Sequence, residues 1–364
     1  MSTKPRIAIV GGGPAGLTAA VVLHQGGFEV RVYESESSGQ QRTQGGTLDL
    51  HEDSGQVALR RAGLLEAFRA IARHEDQEER LVNPLTGNIT TGRIRPEGEM
   101  DKPEIDRGEL RKLLIDALPA DAVQWNHRLA YLEPGAAGMH SLVFTSGTKA
   151  EADIVIGADG AWSKVRACLS AGEPVYTGIT FCEGWIEQPS PEIAGLVGHG
   201  TLFCFGGEEA IFAQRNGGGR ICVYAALKRS IAWFDARVER QGLKTLVTGS
   251  YETWTPNLRQ LLSSCDDFVR RPIYSLPKDF KWTPYKGVTL IGDAAHLMPP
   301  VGVGVNLAML DASDVAEALC SMPDWEGALR AGEAIVCERA SSMMPEAVAG
   351  FKNWFTPGFA PPTV

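Results

Sequence analysis

One short segment near the start of the chain, IAIVGGGPAGLTAA, constrains the fold more than any other. The apolar run Ile7 to Val10 is typical of a strand buried on both faces of a parallel sheet. It leads into a GxGxxG turn that opens a helix, with the candidate phosphate-binding residues Gly11, Gly13, Pro14, Ala15 and Gly16. Glu34 ends the next strand, 18 positions after Gly16, where a carboxylate can accept hydrogen bonds from a ribose. The segment therefore predicts a dinucleotide-binding βαβ unit.

Two later segments repeat the pattern of a buried strand that delivers an aspartate beside a glycine. They are IVIGADGAWSKVR at 154–166 and TLIGDAAHLMPPVGVGVN at 289–306. Between about 174 and 275 the pattern changes to antiparallel-looking strands and helices. Amphipathic helices are predicted at about 54–73 and 106–118.

These patterns predict an α/β fold with two domains. We expect a Rossmann-like nucleotide-binding domain interrupted by a mixed-sheet substrate domain and followed by a C-terminal helix. The predicted boundaries are 1–73, 99–173 and 276–322 for the first domain, 74–98 and 174–275 for the second, and 323–364 for the helix and tail.

Charge and composition exclude several classes of partner. With 364 residues and a net charge of −9, the chain offers no overall electrostatic support for nucleic acid or an anionic membrane. No apolar stretch reaches the ~18 residues of a membrane span, and the N-terminus has no signal-peptide pattern. The 7 cysteines form no CxxC pair or metal-ligand spacing, which suits a reducing compartment. We expect a cytoplasmic monomer that binds no metal.

The three glycine and aspartate motifs together resemble the fingerprints of the class A flavin monooxygenases, the aromatic-hydroxylase type. They occur in the order GxGxxG, DG and GD and span residues 11 to 306. The resemblance implies bound FAD, NAD(P)H as reductant, and transfer of one oxygen atom from O₂ to an aromatic substrate through a C4a-hydroperoxyflavin. It implies no catalytic acid or base, and we expect His296 to pack at the start of a helix.

The same resemblance implies a set of residues beside the flavin. Asp293 would accept hydrogen bonds from the ribityl hydroxyls, Asp159 would tie loops together, and the helix near Gly304 would direct its dipole at the ring. Val303 stands where the family usually has glutamine. The remaining predicted cofactor contacts are Leu129, Gly292, Pro300, Gly302, Val305 and Asn306.

Within this family, the segments GGTLDLH, PEIDRGELRKLL, LEPG and GDAAHLMPP are similar to the tetracycline-inactivating subgroup. That similarity implies that Asp49 lies beside the flavin, that Arg107 contacts FAD, and that Arg42 contacts NADPH. Two alternatives stay open. Arg42 could be a solvated loop charge, and Arg107 could pair with Glu104 or Asp106.

The chain departs from the subgroup where substrate would bind. Ser35 replaces the arginine that follows the ribose-binding glutamate, and four candidate substrate positions also differ: Glu183, Thr201, Gln214 and Cys222. Loss of arginine and histidine donors can cost ~1.5–3 kcal/mol each, so we expect weak tetracycline binding. The substrate is expected to be a polycyclic aromatic or polyketide-like compound. The alternatives are another flavin chemistry, as in an oxidase or reductase, or a weakly active drug-binding flavoprotein.

Overall fold

The computed structural model describes residues 4–39, 45–93, 101–135 and 138–359. Its strands are β1 Ile7–Val10, β2 Val30–Tyr33, β3 Thr47–Asp49, β4 Glu78–Val82, β5 Ile89–Arg93, β6 Glu104–Asp106, β7 Val123–Gln124, β8 Leu129–Glu133, β9 His140–Phe144, β10 Lys149–Ala152, β11 Ile154–Gly157, β12 Val175–Ile186, β13 Gly200–Phe205, β14 Glu209–Arg215, β15 Ile221–Lys228, β16 Phe268–Ser275 and β17 Val288–Leu290. Its helices are α1 Pro14–Gln25, α2 Gly55–Arg61, α3 Leu65–Ile71, α4 Arg107–Asp116, α5 Arg166–Leu169, α6 Pro191–Val197, α7 Ile231–Gln241, α8 Leu243–Ser250, α9 Pro256–Ser263, α10 Asp293–His296, α11 Gly304–Ser321 and α12 Trp325–Trp354.

A parallel sheet in the order β17-β11-β1-β2-β7 carries the three motif segments at the ends of its strands. Its strands β1, β11 and β17 are buried along their whole length, as the continuous apolar runs predict. Helices α1 and α11 pack against each other beside this sheet, and α12 packs on α11. The α/β class and the Rossmann-like sheet are confirmed.

A second, mixed sheet has the order β16-β12-β15-β14-β13-β4-β5. Alternate side chains on one face, such as Leu202 and Cys204, join a core formed with α6 to α9. The opposite face carries Phe181, Phe212 and their neighbours, against which the end of α12 packs with Phe351 and Phe355. This second face is therefore enclosed between the sheet and the C-terminal helix.

The predicted single helix at 54–73 is two helices, α2 and α3. They are separated at Gly63, whose φ is 67°, a left-handed conformation that ends a helix. In α3, Leu65 and Phe68 are buried in the core, whereas Ile71 is 47% exposed.

Two short strands, β3 and β6, form a separate antiparallel ribbon. Leu48 and Ile105 on one face of the ribbon are buried in the core of the parallel sheet. The other face carries Thr47, Asp49 and Glu104, which line a cavity.

Candidate active site

A cavity of about 760 Å³ lies between the parallel sheet, the ribbon and the aromatic face of the mixed sheet. Its size falls within the range of roughly 300–1,000 Å³ that is usual for small-molecule and cofactor sites. All three motif loops reach it: the glycine-rich turn through Gly13, the DG loop through Gly160 and the GD loop through Asp293.

The glycine-rich turn combines close packing with open space. A Cβ atom at Gly16 would lie 2.0 Å from the carbonyl oxygen of Gly11, and one at Gly11 would lie 2.3 Å from that of Ala158. A Cβ atom at Gly13 would meet nothing within 4 Å. Gly13 precedes the first turn of α1, and Pro14 and Ala15 line the cavity with it. The turn thus exposes the amino end of a helix, which suits a phosphate group.

Glu34 binds the glycine-rich turn itself. Its carboxylate accepts hydrogen bonds from the backbone nitrogen of Gly12 at 2.7 Å and of Glu36 at 2.9 Å. Arg111 from α4 donates to the carbonyl of Gly12 at 3.0 Å and pairs with Glu36 at 2.6 Å. Glu34 is not among the residues lining the cavity, so its predicted ribose contact stays a prediction. No sequence motif singles out Arg111, which holds the turn and the segment after β2 together.

The DG loop is closed by its own aspartate. Asp159 accepts hydrogen bonds from the hydroxyl of Ser163 at 2.5 Å and the backbone nitrogen of Lys164 at 2.7 Å. Burial raises the pKa of Asp159, and these hydrogen bonds partly offset the rise. Arg166 then reaches across to the carbonyl of Ala294 at 3.1 Å, which links the DG loop to the GD loop.

Asp293 begins α10, and its side chain is exposed to the cavity. Burial within the molecule raises its pKa, while the positive charges of His296, Arg107 and Arg166 act in the opposite direction. No group in the described part of the chain hydrogen-bonds this carboxylate. A recessed carboxylate without a protein partner fits a ligand that offers hydroxyl groups.

The loop between α10 and α11 forms the neighbouring wall of the cavity. Pro299 to Val305 line it, and a Cβ atom at Gly302 or Gly304 would meet nothing within 4 Å. Gly302 has a φ of 91°, and Gly304 begins the 18-residue helix α11. This helix directs the positive end of its dipole at the cavity. Gly292, with a φ of 56°, packs against Ala308 of α11, which also lines the cavity.

Asn306 has its side chain occupied within the protein. Its Nδ2 donates to the carbonyl of Asp49 at 2.8 Å, and its Oδ1 accepts from the backbone nitrogen of His51 at 2.8 Å and of Gly55 at 3.2 Å. Asn306 therefore fixes the ribbon to the start of α11. Leu129 in β8 is buried in the core. Neither residue lines the cavity, so their predicted cofactor contacts stay predictions.

Asp49 and Arg107 both line the cavity, and their contacts with FAD stay predictions. The Asp49 carboxylate lies 2.9 Å from Nε2 of His51. Neither alternative partner of Arg107 pairs with it. Asp106 binds Arg73 at 2.8 Å and Arg220 at 3.1 Å, and Glu104 contacts Thr47. Arg107 has no ion pair with any residue that the structure describes, whereas Arg42 lies outside the described residues.

The substrate predictions divide into two pairs. Thr201 and Gln214 line the cavity, whereas Glu183 and Cys222 are buried and do not. Glu183 binds Arg271 at 3.2 Å, and Arg271 lines the cavity in its place. Cys222 lies behind the turn at Gly46, where an added Cβ atom would be 3.5 Å from it.

Aromatic side chains that belong to no recognisable sequence motif line this end of the cavity. They come from four strands of the mixed sheet and from the end of α12: Phe181, Phe203, Phe212, Tyr224 and Trp354. The hydroxyl of Tyr224 accepts a hydrogen bond from the backbone nitrogen of Gly46 at 2.8 Å. The period-two pattern in TLFCF and IFAQ puts these residues on one face, but it does not reveal that the face looks into a cavity.

His296 is packed in the interior, but it ends the short helix α10 rather than starting a helix. It is 3% exposed, and its Nε2 binds Asp311 in α11, which in turn binds Arg339 in α12. Burial lowers the pKa of His296, but the charge and hydrogen bond of Asp311 outweigh this effect, and the net pKa is raised. The described residues contain no helix long and apolar enough to cross a membrane and no cluster of His, Cys, Asp and Glu suited to a metal ion.

A fold and cavity of this kind define a flavoprotein of the class A monooxygenase type, and comparison with known proteins agrees. Residues 4–203 and 282–327 match the model of the family described as FAD binding domain. The chain belongs to this family, and it is an FAD-dependent monooxygenase.

Individual relatives are more varied. The chain is 30% identical to the monooxygenase penA of Penicillium thymicola over 86% of this chain and 84% of that protein. The structure of 2,6-dihydroxypyridine-3-hydroxylase from Arthrobacter nicotinovorans superimposes with a TM-score of 0.86 at 21% identity, covering 99% and 95% of the two chains. The tetracycline destructase Tet(51) superimposes with a TM-score of 0.75 at 19% identity, covering 98% and 93%. At these identities the two structures support the fold alone.

Proposed function

We propose that the protein uses NAD(P)H and O₂ to hydroxylate a polycyclic aromatic or polyketide-like substrate in this cavity. The observation that carries the proposal is that the cavity is continuous from the cofactor-binding motifs to the aromatic wall. One cavity connects the amino end of α1, the Asp293 carboxylate and the amino end of α11 to a wall of five aromatic side chains. FAD, when bound, accepts a hydride and activates O₂, and the chain supplies binding, orientation and exclusion of water.

In this proposal the residues with open space or unpartnered polar groups hold FAD. Gly13, Pro14 and Ala15 would receive the pyrophosphate, and Asp293 would accept from the ribityl hydroxyls. Arg107 and Asp49 would flank the ring system. The loop from Pro300 through Gly302 and Gly304 to Val305 would support the ring at the start of α11. The predicted parts 1–73, 99–173 and 276–322 would bind FAD, and 74–98 and 174–275 would bind substrate.

Several observations favour a substrate other than tetracycline. Thr201 and Gln214, which line the cavity, are uncharged. Cys222 is covered by the turn at Gly46, and Arg271 is paired with Glu183. A site with few free charged donors cannot replace the hydrogen bonds that a polar drug loses to water. The aromatic wall instead favours a flat, largely apolar ring system that can stack.

The test is a substrate screen of purified, FAD-loaded protein with NADH and NADPH. The panel contains polycyclic phenols, hydroxyquinolines and tetracycline, and the readout is product mass. We expect one or more polycyclic phenols to gain one oxygen atom, with tetracycline converted slowly or not at all. Release of H₂O₂ with no oxygenated product from any compound would favour the oxidase alternative. Protein that binds no added FAD would rule out the assignment.

A further inference from the structure

The polar face of the ribbon carries two neighbouring carboxyl groups that have no joint role in the proposed function. Asp49 on β3 and Glu104 on β6 are directly opposite each other in the antiparallel register, and both line the cavity. Side chains opposite each other in such a ribbon have Cβ atoms about 4.5–5.5 Å apart. Two ionised carboxylates on such neighbouring positions repel each other, which favours protonation of one of them.

The contacts of Glu104 indicate that Glu104, rather than Asp49, holds the proton. Its Oε2 lies 2.6 Å from Oγ1 of Thr47, a distance typical of an O–H···O hydrogen bond. The same Oγ1 lies 3.2 Å from the carbonyl oxygen of Ile105 and accepts from Nη2 of Arg73 at 2.8 Å. A threonine hydroxyl has one proton and cannot donate to both Glu104 and Ile105. Both contacts are hydrogen bonds if Glu104 supplies the second proton.

Charge and burial around Glu104 support the same state. The side chain is 7% exposed, and Arg73 directs its charge at Asp76 and Asp106, at 3.0 and 2.8 Å. Burial, together with the negative charges of Asp49 and Asp76, raises the pKa of Glu104 to about 8. A hydrogen bond that Thr47 donates to the ionised carboxylate and the positive charge of Arg73 act against the rise. Oε1 of Glu104 has no hydrogen-bond partner in the described part of the chain.

We propose that Glu104 is the proton donor of the monooxygenation. The overall reaction is R–H + O₂ + NAD(P)H + H⁺ → R–OH + NAD(P)⁺ + H₂O. The nicotinamide and the substrate each give two electrons, O₂ takes four, and one proton must come from outside the reactants. Glu104 holds such a proton on the cavity wall, and solvent returns it after each turnover. This inference rests on the proposed function.

The first test needs no turnover. Protein labelled with ¹³C at the glutamate carboxyl carbons is titrated by NMR from pH 5 to 10, with and without added FAD. We expect one resonance that titrates near pH 8 and is absent from Glu104→Gln. If the resonance lost in that variant titrates below pH 6, Glu104 is ionised at neutral pH and the proposal is wrong.

The second test compares variants with an active compound from the screen. Glu104→Gln should lower kcat for hydroxylated product by about 10²-fold or more and remove the fall of kcat above pH 8, with FAD content and NAD(P)H-dependent flavin reduction retained. Glu104→Asp should keep that basic limb and part of the activity. Glu78→Gln is the control, because Glu78 is held ionised by Arg80 at 2.6 Å and the variant should keep the basic limb.

The outcomes separate the two proposals. A wild-type protein that hydroxylates the compound, with a Glu104→Gln variant of equal kcat and pH profile, overturns the role of Glu104 alone. A wild-type protein that reduces its flavin but oxygenates no compound overturns the proposed function, and with it the role of Glu104. Should Glu104→Gln not fold, Glu104→Asp and the NMR titration of the wild-type protein still decide the matter.

Discussion

Asp293 is the residue whose environment most directly indicates a ligand. Its carboxylate opens into the cavity at the start of α10 without a partner among the described residues, and three positive groups surround it. Replacing it by asparagine should weaken FAD binding by roughly 10- to 100-fold, because charged hydrogen bonds contribute ~1.5–3 kcal/mol. Fluorescence titration of the apoprotein with FAD measures the change.

The control for Asp293 is His296→Gln, which changes a neighbour that faces away from the cavity. Because His296 binds Asp311 in the interior, this variant should lower the melting temperature but retain FAD affinity more closely. If His296→Gln weakens FAD binding more than Asp293→Asn does, the roles given to these residues are reversed.

Glu104 also predicts how stability depends on pH. Its pKa in the folded protein, about 8, lies above the ordinary glutamate value of about 4.3. The protonated carboxyl therefore favours the folded state, an effect complete below pH 4 and lost as the pH rises through 8. Melting temperatures of the wild type and Glu104→Gln should differ increasingly in favour of the variant between pH 5 and 8. A constant difference across this range would contradict the raised pKa.

At the scale of elements, the β1–α1 connection shows why two glycines in one motif have different purposes. Gly16 is closed in by the backbone of Gly11, whereas Gly13 faces open space at the amino end of α1. Glycine at position 16 is required for the strand and helix to pack, and glycine at position 13 leaves room for a ligand.

This difference predicts opposite results for two alanine substitutions. Gly16→Ala should fold poorly, because its Cβ atom would lie 2.0 Å from a carbonyl oxygen. Gly13→Ala should fold with a normal melting temperature but bind FAD at least several-fold more weakly. Melting curves and FAD titrations of both variants test this, and tight FAD binding by Gly13→Ala would mean that no phosphate approaches there.

The ribbon shows that the sequence of a strand does not by itself reveal which other strand it pairs with. The alternation of side chains along Thr47–Asp49 puts Asp49 on the face opposite the buried Leu48. The sequence does not indicate that β3 pairs with a segment more than 50 residues later, because pairing register is set by tertiary packing. Glu104 and Thr47 were therefore not selected as site residues.

At the scale of the whole molecule, the C-terminal helix closes the aromatic end of the cavity. Phe351 and Phe355 anchor its last turn in the core over the mixed sheet, and Trp354 lines the cavity between them. In the proposed reaction, this wall would help to keep water away from the reacting centre.

Opening this wall at Trp354 should uncouple NAD(P)H consumption from substrate hydroxylation. In Trp354→Ala, we expect the fraction of NAD(P)H consumption that ends in H₂O₂ to rise severalfold over the wild type, because water gains access to the reacting centre. The control is Trp233→Ala, which changes a tryptophan that packs on the opposite face of the mixed sheet. Equal coupling in the two variants would show that Trp354 does not seal the site.

The sequence by itself determined the three motif segments that identify this protein as a flavoprotein. Each of its three motifs is a strand, a turn and a helix start that are consecutive in the chain, and their conformations follow from local sterics and burial. Only the tertiary structure decided the rest. It buried Cys222 behind Gly46, paired Arg271 with Glu183, assembled the aromatic wall and placed Glu104 opposite Asp49. These contacts join residues distant in the chain, so no local pattern contains them.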